Sequence, residues 1–465
     1  MSRKDAIAAA EALTETRFLE DLARRVAVKT ESQNAARLGD CKSYLEQIGK
    51  DLETALGCTS RIFQNPKAGG GPILVARRIE DPALPTLLTY GHGDVVPGME
   101  GRWAKGRDPW AVTRDEDRLY GRGTADNKGQ HTIVLLALET VLRQRGRLGF
   151  NTTILIETAE ETGSPGLHAF CRSEAELLKA DILLASDGPR LAAQEPTIVG
   201  GTRGVFDFDL ICDLREGAHH SGNWGGLISN PAILLAHAIA SLVSKTGRIE
   251  ARKLVPASVP DSVRAALKRI DLEAMARDPA IEPGWGEPGL TPAERVFGWT
   301  ALEVLAFTSG TPDQPVNAIP PRASARCQIR YTVDTEPATY TATIREHLDA
   351  AGLQMVQVRP VQANPIWKAT RLDPAHWAAE WAASSIAATV GRRPAVVPNA
   401  GGSLPNDCFA EILGMPTVWI PHSYPGCGQH APDEHMLLSN AREGLAIMTG
   451  LFWDLGEEPP FGREG

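Results

Sequence analysis

The stretch LLTYGHGDVVP, residues 87–97, determines how the rest of the chain is interpreted. Its first half is an apolar run with the length and composition of a buried β-strand. The run ends in His92 and Asp94, two polar side chains placed where the strand would leave its sheet. Because ligands of open parallel sheets gather beyond the carboxyl ends of the strands, this pair marks a candidate site.

Four apolar stretches with strand composition lie in the first 200 residues, and a helix-like segment separates two of them. The strands are GPILVARRI (71–79), TLLTYGH (86–92), NTTILIETAEE (151–161) and ADILLASDG (180–188), and the helix is DNKGQHTIVLLALETVLRQRG (126–146). Strands that alternate with helices predict a mostly parallel sheet covered on both faces. The first 25 residues carry acids inside an apolar stretch, which predicts an amphipathic helix rather than a signal peptide.

After residue 200 the pattern changes to strands that alternate with polar turns, beginning with GGTRGVFDFDLICDLREG (200–217). This part has predicted helices near 231–245 and 336–351, and a predicted strand pair at 322–334 and 353–363. The last part returns to the first pattern, with a helix at 373–391, a buried strand at 415–423 and a closing helix at 439–455. We therefore predict an α/β domain, residues 1–200 and 369–465, interrupted by an inserted α+β domain at 201–368.

Composition excludes several classes of protein. Lys and Arg number 48 against 57 Asp and Glu, a net charge of −9 without a long basic run, so a nucleic-acid partner is not expected. An apolar run of 18 residues is also missing, so a membrane span is not expected. The seven cysteines are scattered, odd in number and without CxxC spacing, which favours reduced thiols in the cytoplasm.

Side chains that can bind metals stand at the ends of three of these predicted strands, at the start of the helix between them, and after the predicted strand 415–423. They are His92, Asp126, Glu160, Glu161, Asp187 and, in GCGQHAPDEH (426–435), His430. Taken singly, an aspartate at a helix start is more often an N-cap, and adjacent glutamates usually lie on a solvated face. Two buried glutamates at the mouth of a sheet are costly without a nearby cation. Taken together, the set predicts a two-metal hydrolytic site.

Five motifs occur in the same order as in a known family: GHGDVVP, LYGRGTADNKG, IETAEETGSPG, SDG and QHAPDEH. The chain resembles the aminoacylases, carboxypeptidase G, succinyl-diaminopimelate desuccinylase, acetylornithine deacetylase and the carnosinase-type dipeptidases, over nearly its whole length. HHSGNWGG (219–226) and PVNAIPPRASARCQIR (315–330) resemble the carnosinase-type branch most. The resemblance implies a catalytic domain of zinc-exopeptidase type, interrupted by a domain that serves as lid and dimerisation surface.

The resemblance also implies two divalent metal ions per chain, which would be zinc, although these ligands also suit Mn or Co. Asp126 would bridge both ions. His92 and Asp187 would complete the protein ligands of the first ion, and Glu161 and His430 those of the second.

Catalytic roles follow from the same resemblance. Glu160 would act as the general base, and Asp94 would accept a hydrogen bond from the second ring nitrogen of His92. His220, in the inserted domain, would stabilise the oxyanion from the partner chain of a homodimer. Its neighbour His219 has no implied role.

Residues for the substrate's carboxylate are implied in the inserted domain and in the loop NAGGSLPND (399–407). Arg330 would bind the carboxylate through two parallel hydrogen bonds, which Lys cannot imitate. Asn317 stands where several relatives carry a hydroxyl residue. Gly402 and Ser403 would line the same end of the pocket, and Ser403 is not a serine-hydrolase nucleophile, because no GxSxG turn precedes a helix here.

We therefore expect a cytoplasmic two-metal hydrolase that cleaves the peptide or amide bond of a small substrate with a free carboxylate, a dipeptide in the first instance. An N-acyl-amino-acid deacylase or desuccinylase, or an aminohydrolase acting on a carboxylated ring, would use the same site. A catalytically silent binding protein is a more remote alternative. The expected assembly is a homodimer formed through the inserted domain.

Overall fold

The computed structural model describes residues 1–273, 275, 279–361 and 367–460. The chain forms two compact units. The α/β unit comprises Met1–Gly201, Leu372–Val397 and Pro405–Gly465, and the inserted unit comprises Thr202–Arg371 and Pro398–Leu404. The predicted class, an α/β fold interrupted by an α+β insertion, is confirmed.

Strands in the described part of the chain are numbered in chain order. They are β1 (Thr59–Phe63), β2 (Ile73–Arg78), β3 (Thr86–His92), β4 (Thr113–Asp115), β5 (Arg118–Tyr120), β6 (Asn151–Glu157), β7 (Ile182–Ala185), β8 (Thr197–Val199), β9 (Gly204–Asp213), β10 (His219–His220), β11 (Ala301–Ser309), β12 (Ala318–Ile319), β13 (Arg322–Tyr331), β14 (Val356–Pro360), β15 (Ala395–Val397), β16 (Thr417–Trp419) and β17 (His435–Leu437).

Helices are numbered in the same way. They are α1 (Arg3–Ala12), α2 (Arg17–Val26), α3 (Leu38–Leu56), α4 (Lys128–Arg145), α5 (Leu167–Ser173), α6 (Ala175–Leu178), α7 (Ser221–Trp224), α8 (Pro231–Leu242), α9 (Asp261–Leu267), α10 (Pro292–Phe297), α11 (Tyr340–Ala350), α12 (Trp377–Val390) and α13 (Leu438–Glu457).

An eight-stranded mixed sheet, in the order β1-β2-β6-β3-β7-β16-β8-β15, forms the centre of the α/β unit. Its central strands β6, β3, β7 and β16 run parallel, while β2 is antiparallel to β6, and β1 to β2. Every residue of β6 is buried, as are the last six residues of β3, because helices cover both faces. Since parallel strands end at one edge, the ends of β3, β6 and β7 lie together.

The N-terminal segment, predicted as one amphipathic helix, forms two helices, so the prediction of a single helix is wrong. The chain leaves helical geometry at Thr16, whose φ is −128° and ψ is −96°. The break lets α1 bury Ala6 and Ala10 while α2 buries a separate apolar stripe that includes Phe18 and Leu22. Each helix in the described part of the chain is too short or too polar to cross a lipid bilayer.

In the inserted unit, a four-stranded antiparallel sheet has the order β11-β13-β9-β14. The predicted strands at 322–334 and 353–363 exist as β13 and β14, but β9 lies between them, so their predicted pairing is wrong. Residues 362 and 363 of the second prediction lie outside the described residues. The edge strand β11 was not predicted from the sequence. It pairs antiparallel with β13, and the register of this pairing shifts between Val304 and Ala306.

Helix α4 begins in a tight turn, and Gly129 permits this close packing. A Cβ atom at Gly129 would lie 2.0 Å from the backbone oxygen of Thr124, whereas a Cβ atom at Gly39 in α3 would meet nothing within 4 Å. Gly129→Ala should therefore lower the free energy of unfolding by about 1–3 kcal/mol through overpacking. Gly39→Ala, the matched control, should leave that energy equal or raise it by up to about 1 kcal/mol, because Ala favours helix over Gly. Chemical denaturation measures both, and a Gly129→Ala protein as stable as the wild type would contradict the packing argument.

Candidate active site

The ends of the parallel strands bring the first predicted ligands together. His92 closes β3 and lies opposite Glu157, the last residue of β6. Asp187 follows β7 by two residues, and the Asn127 side chain donates a hydrogen bond of 2.8 Å to the Ser186 backbone oxygen. This bond attaches the turn before α4 to the end of β7, and Asp126, which precedes Asn127 through a cis peptide bond, lies beside that strand end.

His92 is fully buried, and its two ring nitrogens have different neighbours. Nδ1 lies 3.1 Å from the backbone oxygen of Asp94, which can only accept, so this nitrogen carries the hydrogen. Nε2 lies 2.8 Å from Asp126 Oδ1 and 3.7 Å from Asp187 Oδ2. With a metal ion bound, His92 would be neutral in this tautomer and would offer its Nε2 lone pair to the ion instead of donating a hydrogen bond to Asp126.

Asp126 lies between two groups of potential ligands. Its Oδ1 faces His92, while its Oδ2 lies 3.0 Å from Nε2 of His430. The same nitrogen of His430 is 3.1 Å from Glu161 Oε2. Two three-residue sets result, in each of which all ligand atoms lie within 4.8 Å of one another: His92, Asp126 and Asp187, and Asp126, Glu161 and His430.

Four carboxylates are crowded into this site, and the crowding makes it suited to cations. Burial raises the pKa of Glu161 to about 7 and that of Asp187 to about 6, and it raises the pKa of Glu160 well above its ordinary value. Hydrogen bonds to Asp126 and Glu161 raise the pKa of His430 to about 10. Among the described residues, Asp187 Oδ2 is buried without a hydrogen-bond partner. Bound divalent ions would offset the repulsion and satisfy that oxygen, so these residues fit two such ions.

The Asp94 carboxylate has a structural task beside the predicted contact with His92, which stays a prediction. Its carboxylate accepts hydrogen bonds from the backbone N–H groups of Glu160, at 3.2 Å, and Glu161, at 3.1 Å. Its Oδ1 is 3.4 Å from His92 Nδ1, farther than the backbone oxygen of Asp94 itself. The Asp94 side chain therefore holds the 3₁₀ turn Glu160–Thr162, and its backbone oxygen is the nearer acceptor for His92.

Sequence analysis missed two residues that hold Asp126 in place. Glu434 is buried and forms an ion pair of 2.7 Å with Arg122. Its carboxylate also accepts the backbone N–H groups of the turn before α4, at Gly123, Ala125 and Asp126. The side chain of Gln429 donates a hydrogen bond to Asp126 Oδ2. Both residues belong to the motif QHAPDEH (429–435), so their proximity in sequence to His430 was the available signal.

The residues predicted to bind a carboxylate lie in the inserted unit. Arg330 on β13 donates hydrogen bonds from Nη1 to Ser403 Oγ, at 3.0 Å, and from Nε to Gln328 Oε1, at 2.9 Å. Ser403 Oγ in turn donates to the backbone oxygen of Arg203, at 3.2 Å. The structure thus brings Arg330 and Ser403 into contact, with Gly402 next to them and open space where its Cβ would be.

His220 and Asn317 are neighbours in the inserted unit. Strand β10 pairs with β12, which places His220 opposite Ala318. The backbone N–H of Ser221 donates to the backbone oxygen of Asn317, at 2.9 Å. The side chains of His220 and Asn317 are both exposed and available to a ligand or a second chain.

Comparison with known proteins identifies relatives across most of the chain. It is 26% identical over 406 residues to Beta-Ala-His dipeptidase of Mus musculus, which covers 83% of this chain and 80% of that protein. It is 28% identical over 366 residues to Cysteinylglycine-S-conjugate dipeptidase of Corynebacterium striatum, covering 78% and 76%. The crystal structure of human carnosine dipeptidase 1 shares the fold, with a TM-score of 0.74 at 21% identity over 98% of each chain.

The family model described as Peptidase family M20/M25/M40 matches residues 88–454, a span that contains every predicted ligand from His92 to His430. The resemblance drawn from the five motifs is thereby confirmed, and so is the predicted class of enzyme, a metal-dependent hydrolase. Since the match covers well over half of its length, the chain belongs to peptidase family M20/M25/M40.

Proposed function

We propose that this enzyme is a dipeptidase that uses two divalent ions, with zinc as the expected metal. The observation that carries the proposal is the position of Asp126, whose two oxygens face His92 and His430 on opposite sides. The relatives support the substrate class, because those compared above are named as dipeptidases. His92 and Asp187 would complete the first ion's protein ligands, and Glu161 and His430 those of the second.

Glu160 is the carboxylate left over when the two sets that share Asp126 are assigned as ligands. Bound divalent ions would lower the pKa of a water molecule to roughly 7. Glu160, whose Oε2 lies 4.0 Å from His92 Nε2, would accept a proton from that water and pass it to the amine nitrogen of the leaving residue. Asp94 would keep Glu160 in place through the turn that it holds.

Groups of the inserted unit would bind the rest of the substrate. Arg330 and Ser403 would hold the free carboxylate, with Gly402 and Asn317 lining the same subsite. His220 would donate a hydrogen bond to the oxygen of the scissile carbonyl as negative charge develops there.

We also propose a homodimer formed through the inserted unit. Strand β11 is an edge strand of nine residues. It exposes large apolar side chains, with Leu305 at 56% and Phe307 at 46% exposure. An uncovered apolar edge of this length favours pairing with a second chain. We place the dimer in the cytoplasm because all seven cysteines are free and buried.

A direct assay separates the proposed dipeptidase from its alternatives. The metal-loaded protein should hydrolyse dipeptides faster than N-acyl amino acids, should lose activity after chelation and should regain it with about two equivalents of zinc. Carboxyl-amidated dipeptides should be poor substrates, because Arg330 then lacks its partner. Faster release of acetate or succinate from acyl amino acids would assign the chain to the deacylases instead.

Two substitutions distinguish the base from a ligand. Glu160→Gln keeps the shape of the side chain but removes the proton acceptor, so it should retain both ions and lose turnover by about 10²–10⁴-fold. Asp126→Ala should lose metal, because Asp126 contacts both ligand sets. Metal analysis beside steady-state kinetics measures both effects. Normal turnover in Glu160→Gln with both ions bound would reject the assignment of the base.

If His220 acts in the active site of the partner chain, two inactive variants should complement each other. Glu160→Ala and His220→Ala homodimers should each be nearly inactive. In a mixed dimer, one site would receive both defects and the other neither, because each site would combine Glu160 of one chain with His220 of the other. Activity should therefore return in co-expressed, differently tagged chains. A verified mixed dimer without recovery would show that His220 serves its own chain or has no catalytic role.

A further inference from the structure

The inserted unit contains a cavity of about 640 Å³ that the proposed chemistry does not use. Its volume falls within the range of small-molecule sites. The walls are mainly apolar and include two tryptophans. Its apolar lining includes Ile249, Leu272, Trp285, Val296, Trp299 and Leu302.

The cavity begins beside the residues that would hold the substrate's carboxylate. Ala301 lines the cavity and stands directly opposite Arg330 in the pairing of β11 with β13. Arg203 lines it too, and the backbone oxygen of Arg203 accepts the hydrogen bond from Ser403. A ligand whose carboxylate binds Arg330 and Ser403 therefore has the cavity next to it.

Gly401 forms the boundary between the carboxylate-binding loop and the cavity. A Cβ atom at this position would lie 3.6 Å from Arg203 Nη2 and 3.6 Å from Val296 Cγ1, both in residues that line the cavity. The loop that carries Ser403 is thus packed directly on the cavity wall. Since the side chain and the carboxylate of an amino acid share one Cα atom, they must occupy adjoining subsites.

Charge at the cavity wall favours a neutral occupant over an acidic one. Three glutamates line it, Glu282, Glu287 and Glu303. Of the two arginines in the wall, Arg295 already donates to the backbone oxygens of Trp285 and Glu287. Glu287 is paired with Arg252, and the other two glutamates would repel a carboxylate side chain. An aromatic ring can instead pack against Trp285 and Trp299.

We propose that this cavity receives the side chain of the substrate's carboxyl-terminal residue, and that the enzyme prefers dipeptides that end in an aromatic residue. The inference rests on the proposed function, because it takes Arg330 and Ser403 as the site of the substrate's carboxylate. It goes beyond that function by stating which carboxyl-terminal residue of the dipeptide the enzyme prefers.

Steady-state kinetics of the metal-loaded enzyme on Gly-Phe, Gly-Trp, Gly-Gly, Gly-Glu and Gly-Lys tests the preference. The kcat/KM for Gly-Phe and Gly-Trp should exceed that for Gly-Gly by about tenfold or more, because tenfold is about 1.4 kcal/mol and a ring buried against tryptophan gains at least that from area and ring contact together. A higher kcat/KM for Gly-Glu or Gly-Lys than for Gly-Phe would overturn the inference.

Two variants tie the preference to the cavity. Trp285 is 49% exposed, so Trp285→Ala removes part of the wall without emptying the core, and Val296→Trp places a large ring in the space that Val296 lines. In each, the ratio of kcat/KM for Gly-Phe to that for Gly-Gly should fall by about tenfold. Trp377→Ala is the matched control, because Trp377 is 37% exposed and belongs to the α/β unit.

Failure of this inference is distinguishable from failure of the proposed function. An unchanged ratio in both Trp285→Ala and Val296→Trp, in an enzyme that still hydrolyses dipeptides, would overturn the subsite and leave the dipeptidase assignment intact. Absence of metal-dependent hydrolysis of every dipeptide by the wild type would overturn both. A Gly-Phe preference that Trp377→Ala also abolishes would count against the cavity as its source.

Discussion

The carboxylate of Asp126 lies between His92 and His430, and the arrangement of the other candidate ligands depends on it. Each of its oxygens faces a different histidine, so the two ligand sets meet at this one side chain. Glu161 and Asp187 add further negative charge on either side, in a buried region where like charges repel strongly. Such a cluster is reasonable only as a binding site for cations, which is why its chemistry points to metal-dependent hydrolysis.

Interactions between distant parts of the chain hold that carboxylate in position. Glu434 accepts three backbone N–H groups of the turn that contains Asp126 and pairs with Arg122, and strand β17 runs antiparallel to β5 directly beside it. Asp94 does the equivalent for the turn of Glu160. Charged acceptors that satisfy several backbone donors are among the stronger hydrogen-bonding arrangements in proteins. The candidate ligands are therefore preorganised by buried acids that need not bind metal themselves.

The two units have different proposed roles, one in catalysis and one in substrate selection. The α/β unit carries the candidate ligands and Glu160, the proposed base, which would serve the hydrolysis of any C–N bond. The inserted unit carries Arg330, Ser403 and His220, together with the cavity lined by tryptophans, and these features would select the substrate. A parallel sheet offers a rigid edge for catalytic groups. The antiparallel sheet of the inserted unit has two edge strands, β11 and β14, and the proposed dimer relies on β11.

The sequence alone determined the central strands, because apolar runs such as 86–92 report burial locally, and the motif order determined the family. It also placed His92 and Asp187 at strand ends, because the change from apolar to polar residues marks where a buried strand stops. Only the tertiary structure decided what Glu434 does, because its partners lie roughly 310 residues earlier in the chain. The same holds for β9 between β13 and β14 and for the edge strand β11. Strand pairing and buried hydrogen bonds depend on contacts that local periodicity does not encode.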